Sequence, residues 1–508
     1  MSHGHQGAHG GHNGHSGKHD DFDIQAAARR IVSAAGFETD LDADGRAQLA
    51  ALTKPAATPS GADGAAVKDL RDRPWSSIDN TESRDLDQIE IAERLPDGSV
   101  RLIVAIADVD ALVPANSPID RHAFANCTSV YTGIAVFPML PEQLSTGLTS
   151  LNEGEDRLAL AIETVVDADG NVKSYDVYRA MVHNRAQLAY DDVGAWLDGA
   201  SPPPKKVAGN ATLTEQLQLQ HEASQRLKAE RVRNGALEFD TIEATPVAKD
   251  GRIVDLALVH KNHARDLIED FMIASNVAIA KFLEAKGRSG IRRVVREPER
   301  WARIVELAAR YGTTLPAEPD SLSLAKFLAA RHTADPERFP DLSLAIVKLM
   351  GPGIYALDLP GKDPGGHFGL ATHDYSHATA PNRRYADLVT QRLVKAVLAG
   401  APAPYSNDEL TSIAARCTER EDAENKVERT VRKTAAALLL SDRIGESFDG
   451  IVTGATSHGT FVRIIHPPAE GMVIRNHEGF DVGDKVRVKL VGADPYKGFI
   501  DFEGQGER

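Results

Sequence analysis

The chain has 508 residues, and 73 acidic against 58 basic side chains give it a formal net charge of -15. That balance excludes a uniformly basic nucleic-acid coat, the 42% hydrophobic content excludes wholesale disorder, and the length corresponds to about three domains. Cys127 and Cys417 are too few for a disulfide framework or a multi-cysteine zinc site, and no apolar run reaches the ~18 residues of a membrane span, so a reducing, cytoplasmic setting without membrane association is expected.

Residues 1–21 interleave His3, His5, His9, His12, His15 and His19 with glycine and polar residues, which predicts a disordered tail, either a tag or a solvated extension. Between residues 22 and 54, Ile24, Ala27, Ala28, Ile31 and Val32 recur at helical spacing up to Gly36, predicting a small helical, helix-turn-helix-like module. Residues 55–67, rich in Pro, Ala, Gly and Ser, read as a linker. Strands are expected from Gln88, where Ile89 and Ile91 lead through the Pro96-Asp97-Gly98 turn to Leu102, Val104 and Ile106. A second hairpin is expected over 158–182, turning at 167–170, and a third around Asp250-Gly251. Helical patterns follow at 214–233, 263–286, 299–311, 384–399 and 408–440, so residues 68–440 read as an α+β unit of mixed sheet and helices. Residues 445–504 return to short strands and predict a five-stranded OB-type β-barrel. Within it Phe461, close to His458-Gly459, and Arg463 form an aromatic-plus-cation pair suited to stacking a base above a phosphate.

The densest carboxylate arrangement lies in residues 77–88. Asp85 and Asp87 are two apart, so an extended backbone places them on one face, and a loop that folds back could add Asp79. Three crowded carboxylates need a compensating cation, and an all-oxygen set suits Mg2+ or Mn2+. On composition alone, a solvated polar loop is the commoner outcome.

Ordered stretches along the chain reverse that weighting. Besides residues 77–88 they are Ile106-Ala107-Asp108-Val109, residues 128–151, Asn234-Gly235-Ala236-Leu237-Glu238-Phe239, residues 268–282, His367-Phe368-Gly369-Leu370, and Thr379-Ala380-Pro381-Asn382-Arg383-Arg384-Tyr385-Ala386-Asp387. On these the sequence resembles the RNase II/RNase R (RNB) exoribonuclease family over residues 68–440, and the C-terminal barrel resembles the RNA-binding domain that ends such chains. The resemblance implies processive 3′ to 5′ hydrolysis of single-stranded RNA to nucleoside 5′-monophosphates with a divalent metal, Mg2+ or Mn2+, leaving a short oligonucleotide. A monomer acting on RNA is expected. Carried over by position, Asp79 and Asp85 would ligate metal, Asp87 would ligate metal and orient the attacking water, and Arg383 would clamp the scissile phosphate. Tyr131 would stack on terminal nucleotides and help set the end-product length. Arg384, Tyr385, Glu428, Phe461 and Arg463 are further candidates for contact with RNA, although Arg384 could instead pair with Asp387 at a helix start. The cationic clusters Arg292-Arg293, Arg383-Arg384 and 429–433 are candidates for lining its path.

Two departures stand out. The family cluster reads Asp-x-Asp-Asp, whereas here its last position is Gln88, an acceptor without charge, so affinity for a second hard cation should fall. Fewer than eighty residues precede Asp79, and they read as helical where the family carries cold-shock-type domains. An RNA-binding regulator with an attenuated catalytic centre is the competing expectation, with Gln88 in its favour.

Overall fold

The computed structural model describes residues 22–52, 66–240, 243–249, 252–259, 261–456 and 459–505. The histidine-rich tail, most of the 55–67 linker, the Asp250-Gly251 turn and His458 lie outside the described residues.

Two helices come first, α1 (Ile24–Ala34) and α2 (Ala43–Ala51). Asp23 and Asp42 cap them by accepting the backbone N–H of Ala26 and Gly45, and Gly36 ends the first turn-out with φ +81°. The catalytic-domain candidate then opens with β1 (Val67–Asp69), β2 (Ser76–Asp79), β3 (Gln88–Arg94) and β4 (Val100–Ala107). Next come α3 (Pro118–Asn126), a short hairpin of β5 (Val130–Tyr131) and β6 (Val136–Phe137), and β7 (Asp156–Val166), β8 (Val172–His183) and β9 (Ala186–Ala189). These strands, except the short hairpin, make one seven-stranded sheet in the order β1-β8-β7-β4-β3-β2-β9. It is antiparallel apart from β1 on β8 and β2 on β9. β4 is buried along almost its whole length, as a central strand covered on both faces must be.

The chain continues through α4 (Tyr190–Leu197), α5 (Lys205–Ala208) and α6 (Ala211–Arg233), the hairpin β10 (Glu243–Lys249) and β11 (Arg252–Val259), and α7 (His263–Ala285). β12 (Gly290–Val294) pairs with β13 (Ile354–Asp358) across three helices, α8 (Trp301–Arg310), α9 (Ser321–Ala334) and α10 (Phe339–Met350). α6 and α7 pack on the large sheet, and Leu217, Leu227, Leu267, Phe271 and Ile279 join its core. α11 (Tyr385–Leu398) and the 34-residue α12 (Asn407–Leu440) complete the domain.

α12 is the spine of the molecule. It begins with a capping box between Ser406 and Glu409, buries Leu410, Ile413 and Ala414 in the main core, and ends with Ala436, Ala437 and Leu440 in the barrel core. The barrel closes through β14 (Ser447–Thr456), β15 (Gly459–Ile464), β16 (Glu470–Arg475), β18 (Phe499–Gln505) and β17 (Lys485–Asp494), in that order around the circumference. The α+β unit with a terminal five-stranded barrel is therefore the architecture expected from the sequence. The N-terminal helices do not stand apart: Ala28, Val32 and Phe37 share a buried cluster with Val427 and Val431 of α12, and Phe22 meets the ring of Tyr496 in the barrel at 5.0 Å. No helix among the described residues is long and apolar enough to cross a membrane.

Candidate active site

The carboxylate segment runs from the end of β2 to the start of β3. Asp79, the last residue of β2, accepts the N–H of Asn80 (2.7 Å) and the hydroxyl of Ser83 (2.9 Å), which folds the loop back on itself. Ser150 fastens the far side: its Oγ accepts from Leu86 N (2.9 Å) and donates to Arg84 O (2.6 Å), while Leu151 N donates to Leu86 O (3.0 Å). Asp85 accepts the hydroxyl of Tyr131 at 2.6 Å, bringing β5 against the loop.

Asp87 is the most buried of the three, 2% exposed. Its Oδ1 accepts the backbone N–H of Asn382 at 3.0 Å, a bond between residues 295 apart in sequence. Its Oδ2 has no hydrogen-bond partner, and the nearest cation, Nε of Arg383, lies 3.5 Å away. Burial pushes the Asp87 carboxyl up to about 7 against the opposing pull of Arg383 and Asn382, with Asp85 adding to the rise. Asp79 is raised as well, first by burial, with Asp85 again contributing.

The segment 379–387 that delivers Asn382 and Arg383 is itself anchored. Asp387 accepts the N–H groups of Thr379 and Ala380 (2.8 Å each) and takes Arg384 through both guanidinium ends (2.9 and 2.7 Å). Thr149 donates to Asn382 Oδ1 at 2.6 Å, and Ser129 N donates to Arg383 O at 3.0 Å. The Arg383 side chain remains 45% exposed, so its fork is free to reach a ligand beside Asp87.

An all-oxygen donor set, a buried carboxylate oxygen without a partner, and mutual repulsion among three aspartates are features a hard cation would relieve. Among the described residues no three His, Cys, Asp or Glu side chains converge as a ready-made metal cage. The residues present fit a cation held by one or two carboxylates and completed by oxygens of a bound phosphate, the usual manner for Mg2+.

A second feature lies where α10, α12, the β10–β11 hairpin and the barrel meet, around a cavity of about 1090 Å³. Lys261, Lys348, Arg429, Arg432, Lys433 and Arg463 line it together with Phe239 and Phe461. The cations expected along 429–433 thus gather on one wall, and Phe461 stands at the cavity as an available aromatic surface. Arg463 faces the cavity but is held by Asp341 at 3.0 Å.

The sequence expectations for Tyr385, Arg384, Arg292 and Arg293 need correcting. Tyr385 is not available to RNA: it is 4% exposed, with its ring 5.4 Å from that of Phe124, inside the main core. Arg384 is committed to Asp387 and anchors the 379–387 segment rather than offering its charge outward. Arg292 is 3% exposed and paired with Asp358 and Asp374, and Arg293 is paired with Glu421, so neither lines an open path. Glu428 is ion-paired to Arg432 on α12. Gln88 is 8% exposed, opposite Ile106 in the β3–β4 register. Sequence reasoning gave no role to Asn382, Thr149 or Ser150, which hold the carboxylate segment. Their only signal was membership of the matching stretches, because the partners they touch are far away in sequence.

Residues 67–400 match the RNB domain model, and residues 446–505 match the RNase II-type exonuclease C-terminal S1 domain. Ribonuclease R 1 of Lactococcus lactis is 30% identical over 466 residues, covering 86% of this chain and 56% of that protein. Ribonuclease R of Thermotoga maritima is 31% identical over 477 residues, covering 86% of this chain and 64% of that one, so the chain spans about 56 to 64% of the length of these relatives. The fold is similar to that of Mycoplasma genitalium RNase R in complex with ribose methylated single-stranded RNA, with a TM-score of 0.85 at 24% identity over 95% of this chain and 78% of that one. With the RNB domain model spanning most of its length, the chain belongs to the RNB family.

Proposed function

We propose that the protein is a 3′ to 5′ exoribonuclease that hydrolyses single-stranded RNA to nucleoside 5′-monophosphates with the help of a divalent cation, Mg2+ or Mn2+. The observation that carries this reading is the convergence of Asp85, Asp87, Arg383 and Tyr131, from three distant segments, around one buried carboxylate oxygen that lacks a hydrogen bond. The relatives named ribonuclease R and the single-stranded RNA held by the Mycoplasma protein support the same substrate.

Asp85 and Asp87, with Asp79 close by, are the residues that would hold the cation. A hard divalent cation there supplies charge neutralisation at the phosphate and a lowered pKa for water. Asp87, its carboxylate held in direction by the hydrogen bond from the Asn382 backbone, would orient the attacking water beside the cation. Arg383, half exposed beside it, would grip two phosphoryl oxygens with its planar fork as negative charge grows there. The bond that breaks joins phosphorus to the 3′ oxygen of the penultimate nucleotide. The phosphate leaves on the 5′ side of the terminal nucleoside, and the 3′ oxygen takes up a proton. Tyr131, tethered through its hydroxyl to Asp85, would present its ring to the terminal bases, a contact worth about 1–3 kcal/mol per base. The cavity lined by Arg429, Arg432, Lys433 and Phe461 would carry the upstream strand.

Incubating a 5′-labelled single-stranded oligoribonucleotide with the protein and Mg2+ tests the reading. Progressive shortening to a small oligomer is expected, with binding that weakens steeply as salt rises. RNA that is shifted but intact would instead mark an RNA-binding protein with an attenuated centre.

A further inference from the structure

The short hairpin that carries Tyr131 has two residues in each strand, too little pairing to hold its own shape. Its geometry must come from what packs on it. Adjacent strand residues face opposite ways. Tyr131 points to Asp85, and the neighbouring Val130, 1% exposed, lies in a buried cluster with Ala28, Val32 and Phe37 of the N-terminal segment and Val427 and Val431 of α12. Ile134 and Phe137 of the hairpin pack on the same cluster, while Val136 faces outward.

Polar contacts fix the N-terminal segment in this position. The Arg420 guanidinium lies 3.7 Å over the Phe37 ring and donates to Ala35 O at 3.1 Å. Glu38 and Asn126 exchange two hydrogen bonds, Glu38 N to Asn126 Oδ1 (2.8 Å) and Asn126 Nδ2 to Glu38 O (2.9 Å), and the Glu38 carboxylate meets His122 Nδ1 at 3.0 Å. Asn126 ends α3, three residues before Ser129, whose N–H holds Arg383 O. The N-terminal segment therefore abuts both the strand that aims Tyr131 and the turn that leads into it.

We propose that the helical N-terminal module is a positioning element for Tyr131, with Phe37 and Val32 acting through Val130, so that residues outside the RNB domain set the length of RNA the active site can still hold. The proposal rests on the exoribonuclease reading above.

The test compares wild type, Phe37→Ala, Phe37→Leu, Tyr131→Ala and the Phe37→Ala/Tyr131→Ala double variant on 5′-labelled single-stranded RNA with Mg2+. Hydrogen exchange of residues 128–137 is followed in parallel. Phe37→Ala is expected to lengthen the final product in the same direction as Tyr131→Ala, to raise KM for short oligomers several-fold, and to leave kcat on long RNA within about threefold. Phe37→Leu should restore the wild-type product, and the double variant should match Tyr131→Ala alone, as two residues acting through one contact do. Exchange in 128–137 should quicken about tenfold in Phe37→Ala. If that variant does not fold, Arg420→Gln, which removes the cation over the ring, takes its place. Unchanged product length in Phe37→Ala while Tyr131→Ala changes it would overturn the proposal and leave the exoribonuclease reading intact. RNA left whole by the wild type would overturn that reading, and unchanged exchange in 128–137 would separately overturn the coupling between module and hairpin.

Discussion

Asp108, Asp110 and Asp120 face Arg179, Arg392 and Lys395 through ion pairs of 2.7 to 3.2 Å, while Asp79, Asp85 and Asp87 lie near Arg383, half exposed and 3.5 Å from its closest carboxylate. Both triads sit in one domain, and both come from stretches that match the same family. The first is balanced by three cations held at contact distance. The second has one facing cation, no closer than 3.5 Å, and its Asp79 and Asp87 carboxyls are raised by burial. A matched set of buried charges holds structure together. An unmatched set is tolerable when its carboxyls hold protons or when something else supplies the missing positive charge, as a cation with a phosphate would here. The contrast also separates the arginines: Arg392 is 4% exposed and fully engaged, whereas Arg383 can move.

Breaking the balanced triad should have the largest effect. Arg392→Ala leaves Asp110 and Asp120 short of a partner and is expected to cost about 3–5 kcal/mol of stability, read from denaturant unfolding. The same truncation in the open triad, Arg383→Ala, should leave unfolding nearly unchanged and lower turnover instead. Equal stability losses in the two variants would erase the distinction.

Asp87→Asn should reduce turnover by at least about 10²-fold while single-stranded RNA still binds, since one charge at the reacting phosphate is lost. Its stability should move the other way. The folded-state carboxyl lies near 7 against an unfolded value of 3.8, so the folded protein holds an extra proton between those limits and the Asp87 contribution becomes less favourable as pH rises from about 4 to 7. In chelator, the variant is therefore expected to be more stable than wild type at pH 8, by up to about 4 kcal/mol, with the gain fading toward pH 4. A pH-independent difference would remove burial of an unpaired charge as the cause.

Arg383→Lys should retain binding and lose roughly tenfold in turnover, because an ammonium cannot match two phosphoryl oxygens at once. Gln88→Asp carries the smallest expectation, a several-fold lower Mg2+ requirement with little change in maximal rate. An unchanged metal titration would show that position 88 does not contribute to the cation site.

Long periodic elements were legible from the sequence. α6, α7, α11 and α12 fall within a few residues of the expected helices, and the β3–β4 and β7–β8 hairpins turn where Gly and Asp cluster. The strands β1, β2 and β9 were not, because three or four residues carry no period and their pairing partners lie about a hundred residues away. α3, α4, α5, α9, α10 and the strands β5, β6, β12, β13 and β16 were missed as well. Within the site, the i, i+2 spacing exposed Asp85 and Asp87, and the three-residue spacing of Arg384 from Asp387 offered the ion pair that the structure shows, while Arg383 lies half exposed beside Asp87. Tyr385 followed its neighbours into the list of RNA contacts because the family stretch is contiguous, whereas the start of α11 turns its ring into the core.

The sequence by itself determined the family, the order of the two folded units and the oxygen-only chemistry of residues 79–87, since these depend on residue identity and short-range spacing. The tertiary structure alone decided which charges are spent and which are left over. That distinction depends on partners such as Asn382 and Arg383 for Asp87, or Lys395 for Asp108, that are separated by nearly three hundred residues of chain and meet only when the sheet and α11 have closed around them.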